Sequence, residues 1–270
     1  MTAGRESQII EKARELGADL AGIASVALLE QSPSHELFNR IGEKIDGVGF
    51  APAGFREINW PANMKSVLVI GVAHPQDKPE LDWFEARGDS PGNKALIKVN
   101  RELSVWIEET FDIKTHKLPY WVERGGMYLK DAGVLSGLGC VGRNNMLITP
   151  ELGPRIRLRG MLLGAELTPT GPIDFDPCSE CEEYCRTACP QKAFDQTVLA
   201  SAETGMNALP GRDGSYSRAR CIIQINHDVE AAGISLDDTP LSSVEGEDTP
   251  RQEGPIKYCR DCEFACPAGR

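Results

Sequence analysis

Two features of membrane and exported proteins are missing from this 270-residue sequence. No window holds about 18 consecutive apolar residues, the length that a membrane-spanning helix needs. Met1–Glu30 shows no basic start followed by an apolar stretch, so we expect no secretory signal. We therefore expect a cytoplasmic protein that binds no membrane and whose thiols stay reduced.

Net positive charge is also missing. The 29 Lys and Arg residues face 40 Asp and Glu residues, which gives a formal net charge of −11. An acidic surface repels phosphate backbones, so nucleic acid is an unfavourable partner. Arg155, Arg157 and Arg159 alternate in PRIRLRG. That alternation is typical of the solvent-facing side of a strand, where we expect these arginines.

The first part of the chain predicts a mixed α/β (α+β) fold. Helical spacing recurs in ESQIIEKARELGAD, SHELFNRIGEKI, NKALIKVNRELSVWIEET and GMYLKDAGVLSGLG. Strands are predicted for LAGIASV and for SVLVIGVAHP, whose unbroken apolar run indicates burial of both faces. NNMLITP and IRLRGMLLGAEL are expected to pair with each other.

The composition changes after Glu166. TPTGPIDFDP carries three prolines and little periodicity, as linkers do. We expect one domain at 1–168 and a second at 169–270. The second domain is predicted to contain an acidic, turn-rich surface insertion near 230–256.

Eight of the nine cysteines follow this linker. CSECEEYCRTACP and CRDCEFACP share a C-x2-C-x3-C frame, and each ends in Cys-Pro. An odd cysteine count, together with enough apolar residues for a core, argues against disulfides. The two C-x2-C pairs could form one zinc site, but their separation is too long for a zinc ribbon and four cysteines would remain unexplained. The pattern is instead typical of two [4Fe-4S] clusters.

Ferredoxin-type runs also predict which thiolates share a cluster. In such runs three closely spaced cysteines hold one cluster, and the cysteine before proline serves the other. The first run here has one residue more than usual, Glu182 or Glu183. The predicted first thiol set is Cys178, Cys181, Cys185 and Cys266, and the predicted second thiol set is Cys189, Cys221, Cys259 and Cys262.

A glycine-rich block, GLGCVG, fits the G-x-G-x-x-G pattern of dinucleotide sites. The context differs, because a helix precedes the block and a strand-like segment follows it. We therefore expect the glycines to allow close approach of a neighbour or ligand, or to end the helix in a turn. Cys140, within the block, is expected to be a buried, inert thiol.

The stretch YWVERGGMYLKDAGVLSGLGCVGRNNMLITPELG, then LRGMLLGAEL, then the double cysteine set, resembles the epoxyqueuosine reductase family, whose relatives include reductive dehalogenases. The resemblance extends from about Ser7 to Arg270 and is most specific from Tyr120 onward, where a G-L-G-x-x-G-[KR]-[HN] block precedes the two-cluster tail. It implies a nitroreductase-like, cobalamin-binding sheet domain joined to a ferredoxin-like domain with two [4Fe-4S] clusters. The corrinoid is then expected against Gly137, Gly139, Val141, Gly142, Arg143 and Asn144.

The resemblance also implies an activity. A ferredoxin- or flavodoxin-like donor would pass electrons through the clusters to the corrinoid, which would reduce a small-molecule substrate. We expect no C-terminal helical-repeat domain of the kind that the longer, tRNA-modifying members carry. Together with the acidic charge, this makes tRNA an unlikely substrate.

Reduction also needs a proton donor. Family members commonly carry an Asp fourteen residues before the G-L-G block, and the same count back from Gly137 reaches Glu123. A carboxyl buried beside a corrin would have a raised pKa, whereas a surface Glu123 would pair with Arg124. Tyr120 and Tyr128 are alternative donors, since related dehalogenases use tyrosine.

Two other classes of protein would keep all eight thiolates. One is a corrinoid-free, two-cluster electron carrier, and the other is a reductase that activates a separate corrinoid protein. Neither needs a pocket at GLGCVGRN. The presence of such a pocket therefore separates them from a cobalamin-dependent reductase.

Overall fold

The computed structural model describes residues 4–41, 60–85, 90–120, 122, 125–233 and 255–270. Glu123 and most of the predicted acidic insertion, residues 234–254, lie outside the described residues. Within them, no helix combines the length and the apolar character that crossing a bilayer requires.

Helices and short strands alternate along the first part of the chain. A 3-10 turn occupies Pro79–Asp82. The helices are α1 (Arg5–Glu15), α2 (Val26–Glu30), α3 (Pro33–Ile41), α4 (Pro91–Phe111), α5 (Leu129–Leu135), α6 (Tyr184–Thr187), α7 (Ser201–Thr204), α8 (Arg218–Ala231) and α9 (Asp261–Phe264). The strands are β1 (Leu20–Ser25), β2 (Ser66–Ala73), β3 (Phe84–Glu85), β4 (Thr115–Lys117), β5 (Cys140–Val141), β6 (Leu147–Ile148), β7 (Ile156–Leu163) and β8 (Pro255–Ile256).

A four-stranded antiparallel sheet, in the order β1-β2-β7-β4, forms the centre of the fold. Strand β2 packs on both of its faces, as its unbroken apolar run predicts. Leu68 lies in a hydrophobic cluster with Leu103 of α4, whereas its neighbour Val69 packs with Leu29 of α2 and Ala132 of α5. Successive side chains of a strand point to opposite faces, so helices cover the sheet on both sides. The predicted mixed α/β fold is confirmed.

Helix α4 is the long helix predicted from NKALIKVNRELSVWIEET, and capping residues fix its ends. The hydroxyl of Ser90 accepts a hydrogen bond from the backbone N–H of Asn93 at 3.3 Å, and Pro91 takes the first helical position. At the other end, Asp112 adopts a left-handed conformation with φ 54°. The helix is thereby held to one length along the sheet.

The predicted pairing of NNMLITP with IRLRGMLLGAEL is wrong. Strand β6 pairs with β5, with Cys140 opposite Ile148, and β7 pairs with β2 and β4. A tight turn containing Asn145 at φ 58° connects β5 to β6. Strand β7 pairs with β2 along its whole length and with β4 at its end, whereas β5 meets β6 across a single tight turn.

The arginines of PRIRLRG are buried, so the predicted solvent-facing row is also wrong. Arg155 and Arg159 are 5% and 3% exposed. Arg155 Nη2 donates to the carbonyl oxygens of Ala268 (2.6 Å) and Gly269 (2.8 Å), and Arg159 donates to Asn93 Oδ1 at 3.3 Å. Buried charges need such partners. The partners lie far away along the chain, where a local alternation gives no sign of them.

Asp82 is the centre of a buried ion network. Its Oδ1 accepts a hydrogen bond from Arg157 of β7, its Oδ2 accepts one from the Tyr258 hydroxyl, and Arg260 Nη1 lies 2.8 Å from Oδ2. Burial alone would raise the pKa of Asp82, but the two arginines outweigh burial and lower it. Arg260 Nε also donates to Glu263 Oε2 at 2.9 Å. The network ties the sheet to the C-terminal segment that carries the last three cysteines.

Replacing Asp82 with Asn should destabilise the protein strongly. Arg157 and Arg260 would stay buried without their shared counter-charge, a loss of about 3–5 kcal/mol. For a chain of this size that corresponds to a fall in thermal midpoint of roughly 6–20 °C. Thermal denaturation of the cluster-loaded protein under anaerobic conditions measures the midpoint. Asp195, which is exposed, supplies the matched control: Asp195→Asn should change stability by no more than about 0.5 kcal/mol. Equal midpoints for the two variants would contradict the network's role.

Candidate functional site: two thiol-lined cavities

Two cavities lie against the cysteine-bearing segments, a large one of about 970 Å³ and a small one of about 210 Å³. The small cavity is bordered by Cys178, Cys181, Cys185 and Cys266, which are the four members of the first thiol set. The large cavity is bordered by Cys189, Cys221, Cys259 and Cys262, which are the four members of the second thiol set. The fold brings each predicted set together at its own cavity. Their role as metal ligands stays a prediction.

Short helices carry several of these thiols. Cys185 lies in α6 and Cys262 in α9, and these two helices pack against each other. Glu183, one of the extra residues in the first run, has a left-handed conformation (φ 58°) and leads directly into α6. This turn absorbs the additional residue, so Cys185 still borders the small cavity.

Burial shifts the titration of the thiols. It raises the pKa of Cys185 to about 11, and the negative charges of Cys266, Cys178 and Cys181 add to the effect. It likewise raises the pKa of Cys262, to which Cys221, Cys259 and also Cys185 contribute. The packing of α6, which carries Cys185, against α9, which carries Cys262, makes the two thiol sets neighbours. Metal centres bind thiolates, so a cationic group entering either cavity must displace protons.

The hairpin β5–β6 stands between the two cavities. Its tip is attached to the cysteine-bearing part of the chain by arginines: Arg143 forms an ion pair with Glu183, and its Nε donates to the Cys178 carbonyl at 3.2 Å. Arg212 Nε donates to the Val141 carbonyl at 2.7 Å. These contacts fix the hairpin against the first thiol set.

Cys140 borders the large cavity, close to this arginine. Arg212 Nη2 lies 3.4 Å from its Sγ. Burial raises the pKa of Cys140 to about 11, although the charge of Arg212 opposes the rise. The thiol is therefore protonated at neutral pH; it is partly buried, not fully buried as predicted, and its inertness stays a prediction.

The glycines of GLGCVG contact protein backbone and side chains. Gly137, at φ +75°, ends α5 in a Schellman motif: its N–H donates to the Val134 carbonyl at 3.0 Å, and the next N–H, of Leu138, donates to Gly133 at 2.9 Å. A side chain at Gly139 would collide with the carbonyl of Ile148 across the hairpin. The block is thus a helix end and a tight hairpin.

The six residues predicted to face a corrinoid therefore separate into groups. Val141 and Asn144 border the large cavity, and Arg143 borders the small one. Gly137, Gly139 and Gly142 approach neighbouring protein atoms. The glycines act on either cavity by shaping the hairpin, and their direct contact with a corrinoid stays a prediction.

Two of the three predicted proton donors border the large cavity, namely Tyr120 and Tyr128. The guanidinium of Arg157 lies 5.7 Å from the ring centroid of Tyr120. The ring of His35 packs edge-on against Tyr128, with centroids 4.8 Å apart. Burial lowers the pKa of His35 to about 4, so this imidazole is neutral at physiological pH. The third donor, Glu123, lies outside the described residues.

Sequence reasoning missed Lys130, which also borders the large cavity. Its Nζ donates to the Asn145 carbonyl at 2.8 Å. Burial lowers its pKa to about 8; the charge of Asp131 opposes this shift, and that of Arg218 adds to it. A lysine in an amphipathic helix usually indicates the solvent face. The sequence therefore carried no signal that this ammonium borders a cavity.

Known proteins with related sequences are reductases. The tetrachloroethene reductive dehalogenase of Desulfitobacterium hafniense is 30% identical over 225 residues, which cover 70% of this chain and 38% of that protein. The epoxyqueuosine reductase of Staphylococcus aureus is 29% identical over 195 residues, which cover 64% of this chain and 49% of that protein. No family model matches. The predicted resemblance is confirmed.

Solved structures share the fold. Epoxyqueuosine reductase from Bacillus subtilis superimposes with a TM-score of 0.64 at 19% identity, over 98% of this chain and 65% of that one. An epoxyqueuosine reductase bound to an epoxyqueuosine-modified tRNA stem loop gives a TM-score of 0.62 at 18% identity, over 97% and 64%. The chain thus spans well under two thirds of its sequence relatives and just under two thirds of these structures.

Substituting Gly139 with Ala should disrupt the hairpin. The new methyl group would collide with the carbonyl of Ile148, a backbone atom that can move only if β5 and β6 separate. Gly164→Ala is the matched control, because its methyl would meet only atoms at 3.4 Å or more. Limited proteolysis with mass spectrometry should find new cleavage within residues 139–148 of Gly139→Ala alone. Protection equal to that of the control would contradict this role for Gly139.

Proposed function

We propose that this chain is an iron–sulfur reductase that uses cobalamin to reduce a small-molecule substrate. The observation that carries the proposal is the division of eight thiols between two neighbouring cavities, one of which has ample further space. The similarity to reductases supports the reaction class. Because the chain matches only part of those proteins, the activity, the substrate and the electron donor are all part of the proposal.

The two thiol sets fit iron–sulfur clusters better than single ions. A tetrahedral zinc site holds its sulfurs about 2.3 Å from one ion, so the thiols must converge on a point. Across the described ranges, no three His, Cys, Asp or Glu side chains converge in that way. Each thiol set instead surrounds a volume, as ligands of a cubane cluster do.

The size of the large cavity supports the proposal of an additional organic cofactor. Its volume of about 970 Å³ lies at the upper end of the range of roughly 300–1,000 Å³ for small-molecule sites. Apolar side chains of α5, β6 and β7 form much of its wall, including Leu135, Leu147, Ile156 and Leu158. These residues, with Val141, would hold a corrinoid against the sheet. Once bound, cobalamin would supply the strongly reducing chemistry that side chains cannot.

The protein's own part in the reaction is to move electrons and to place a proton. A ferredoxin- or flavodoxin-like protein would deliver electrons to the clusters, which their shared α6–α9 contact keeps close together. Glu123 is the proposed proton donor, with Tyr120 and Tyr128 as alternatives on the cavity wall. We propose a cytoplasmic location, where the thiols would stay reduced.

The substrate is proposed to be a small molecule, such as an epoxide or a halogenated compound. The net charge of −11 opposes a polyanionic substrate. A tRNA stem loop is nevertheless the second candidate, because a protein with the same fold has been solved with one bound. Competition assays with an epoxyqueuosine-modified stem loop separate the two.

Iron content tests the metal sites. After anaerobic reconstitution the protein should hold about eight irons per chain, as two cubanes require. Cys178→Ala should empty only the small cavity and Cys221→Ala only the large one, so each variant should retain about four irons by the same ligand rule. Cys140→Ala is the control and should retain the full complement. Zinc in place of iron, or equal iron loss from all three variants, would disprove the assignment.

Cobalamin binding and turnover test the proposed cofactor and the proposed proton donor. Reconstituted protein given hydroxocobalamin should retain the corrin absorption band after desalting, and Leu147→Trp, which fills the cavity, should reduce that retention at least tenfold.

Glu123→Gln should keep clusters and corrin but lower the rate of reduction of tetrachloroethene or of epoxyqueuosine by roughly 10²–10⁴-fold, the usual contribution of a positioned acid.

These measurements distinguish the rival classes. A protein that holds eight irons but no corrin would be an electron carrier or a corrinoid-activating partner. Undiminished turnover in Glu123→Gln would remove Glu123 from the reaction and leave the two tyrosines as donors.

A further inference from the structure

One residue is common to the linings of the two cavities. Among the residues that the structure describes, Asn144 alone borders both the large cavity and the small one. It lies at the tip of the β5–β6 hairpin, next to Arg143. Asn144 therefore lies between the two cavities.

The orientation of the Asn144 amide is fixed by the hairpin. Its Oδ1 accepts a hydrogen bond from the backbone N–H of Met146 at 3.2 Å, so its Nδ2 points away from that turn. The side chain is only 4% exposed, and Nδ2 is buried without a hydrogen-bond partner in the described part of the chain. A buried N–H group that lacks an acceptor destabilises the fold. We therefore expect the group that fills a neighbouring cavity to provide the acceptor.

The small cavity offers sulfur as the natural acceptor. Its polar lining consists of the four thiols of the first set, Asn144, and the Arg143–Glu183 ion pair. Prolines, Ile148 and Ala268 form the remaining wall. Arg143 is engaged by Glu183 and the Cys178 carbonyl. A cluster with four thiolate ligands is negatively charged, and Asn144 is the uncharged side-chain donor that borders it.

We propose that Asn144 Nδ2 donates an N–H···S hydrogen bond to the cluster of the first thiol set and raises the reduction potential of that cluster. Such a bond stabilises the more negative, reduced form over the oxidised form, which is how hydrogen bonds to sulfur tune iron–sulfur centres. Because Asn144 also borders the large cavity, the tuned cluster lies directly behind the proposed corrinoid space. Asn144 is thus a positioning residue, and this role rests on the cluster assignment made above.

Redox titration of the wild type and three variants tests the proposal. Asn144→Leu keeps the branched heavy-atom shape of the side chain and removes the donor, and Asn144→His restores an N–H, in keeping with the [HN] alternative of the motif. Electron paramagnetic resonance should resolve two one-electron steps, and Cys266→Ser identifies the step that belongs to the first set. In Asn144→Leu that step alone should become about tenfold less favourable, a potential lower by about 59 mV for one electron. Asn144→His should recover much of the loss.

A second measurement detects the contact between Asn144 and the cluster directly. In wild-type protein with ¹⁵N-labelled asparagine, pulsed electron paramagnetic resonance of the reduced first cluster should show a ¹⁵N coupling that disappears in Asn144→Leu. A change in protein packing alone would not produce this coupling.

Either of two results would overturn the proposal: an unchanged first potential in Asn144→Leu, or a coupling that belongs to the second cluster. Both require protein that still holds about eight irons. Failure of iron loading would instead refute the cluster assignment, so the two failures can be told apart.

Discussion

The carboxylate of Asp82 joins the central sheet to the C-terminal segment of the chain. Away from water, it accepts hydrogen bonds from Arg157 of the sheet and Tyr258 of the C-terminal segment, and it forms an ion pair with Arg260 of that segment. Cys259, Cys262 and Cys266 follow this contact within a few residues. Each thiol set contains members from this segment, so neither cavity is complete until the segment has docked. The buried charges thus set the distance between the sheet and both thiol sets.

The β5–β6 hairpin is the second constraint, and it explains why the glycine block resembles a nucleotide motif without acting as one. Gly137 ends a helix, and Gly139 permits two strands to approach. The turn then places Arg143 on one cavity, Val141 on the other, and Asn144 on both. A single tight hairpin therefore serves as the partition, so its backbone geometry matters more than any ligand contact of the glycines themselves.

Local patterns predicted the elements well and the long-range contacts poorly. The apolar run of β2 corresponds to a strand, and the helical spacing of α4 corresponds to a helix. The two Cys-Pro runs contribute thiols to a shared cavity. The prediction that the arginines of PRIRLRG face solvent was wrong. Alternation indicates which residues share a face of a strand, but it does not indicate whether that face contacts water or distant hydrogen-bond acceptors. The position of Lys130 on the cavity wall was missed for the same reason. The predicted partner of strand β6 was wrong because the apolar residues of a strand do not specify which strand it pairs with. Glu123 remains a prediction from the family resemblance.

The arrangement of charges gives the two cavities different characters. Near the small one, two arginines pair with carboxylates: Arg143 with Glu183, and Arg186 with both Glu183 and Asp213. At the large cavity Lys130 hydrogen-bonds a backbone carbonyl, and burial lowers its pKa to about 8, so a modest change in its surroundings would change its charge. A small cavity bordered by fixed ion pairs suits a cluster that must change charge with little rearrangement. A roomier cavity, bordered by tyrosines and a readily titrated lysine, suits a reaction in which a substrate must enter, accept a proton and leave.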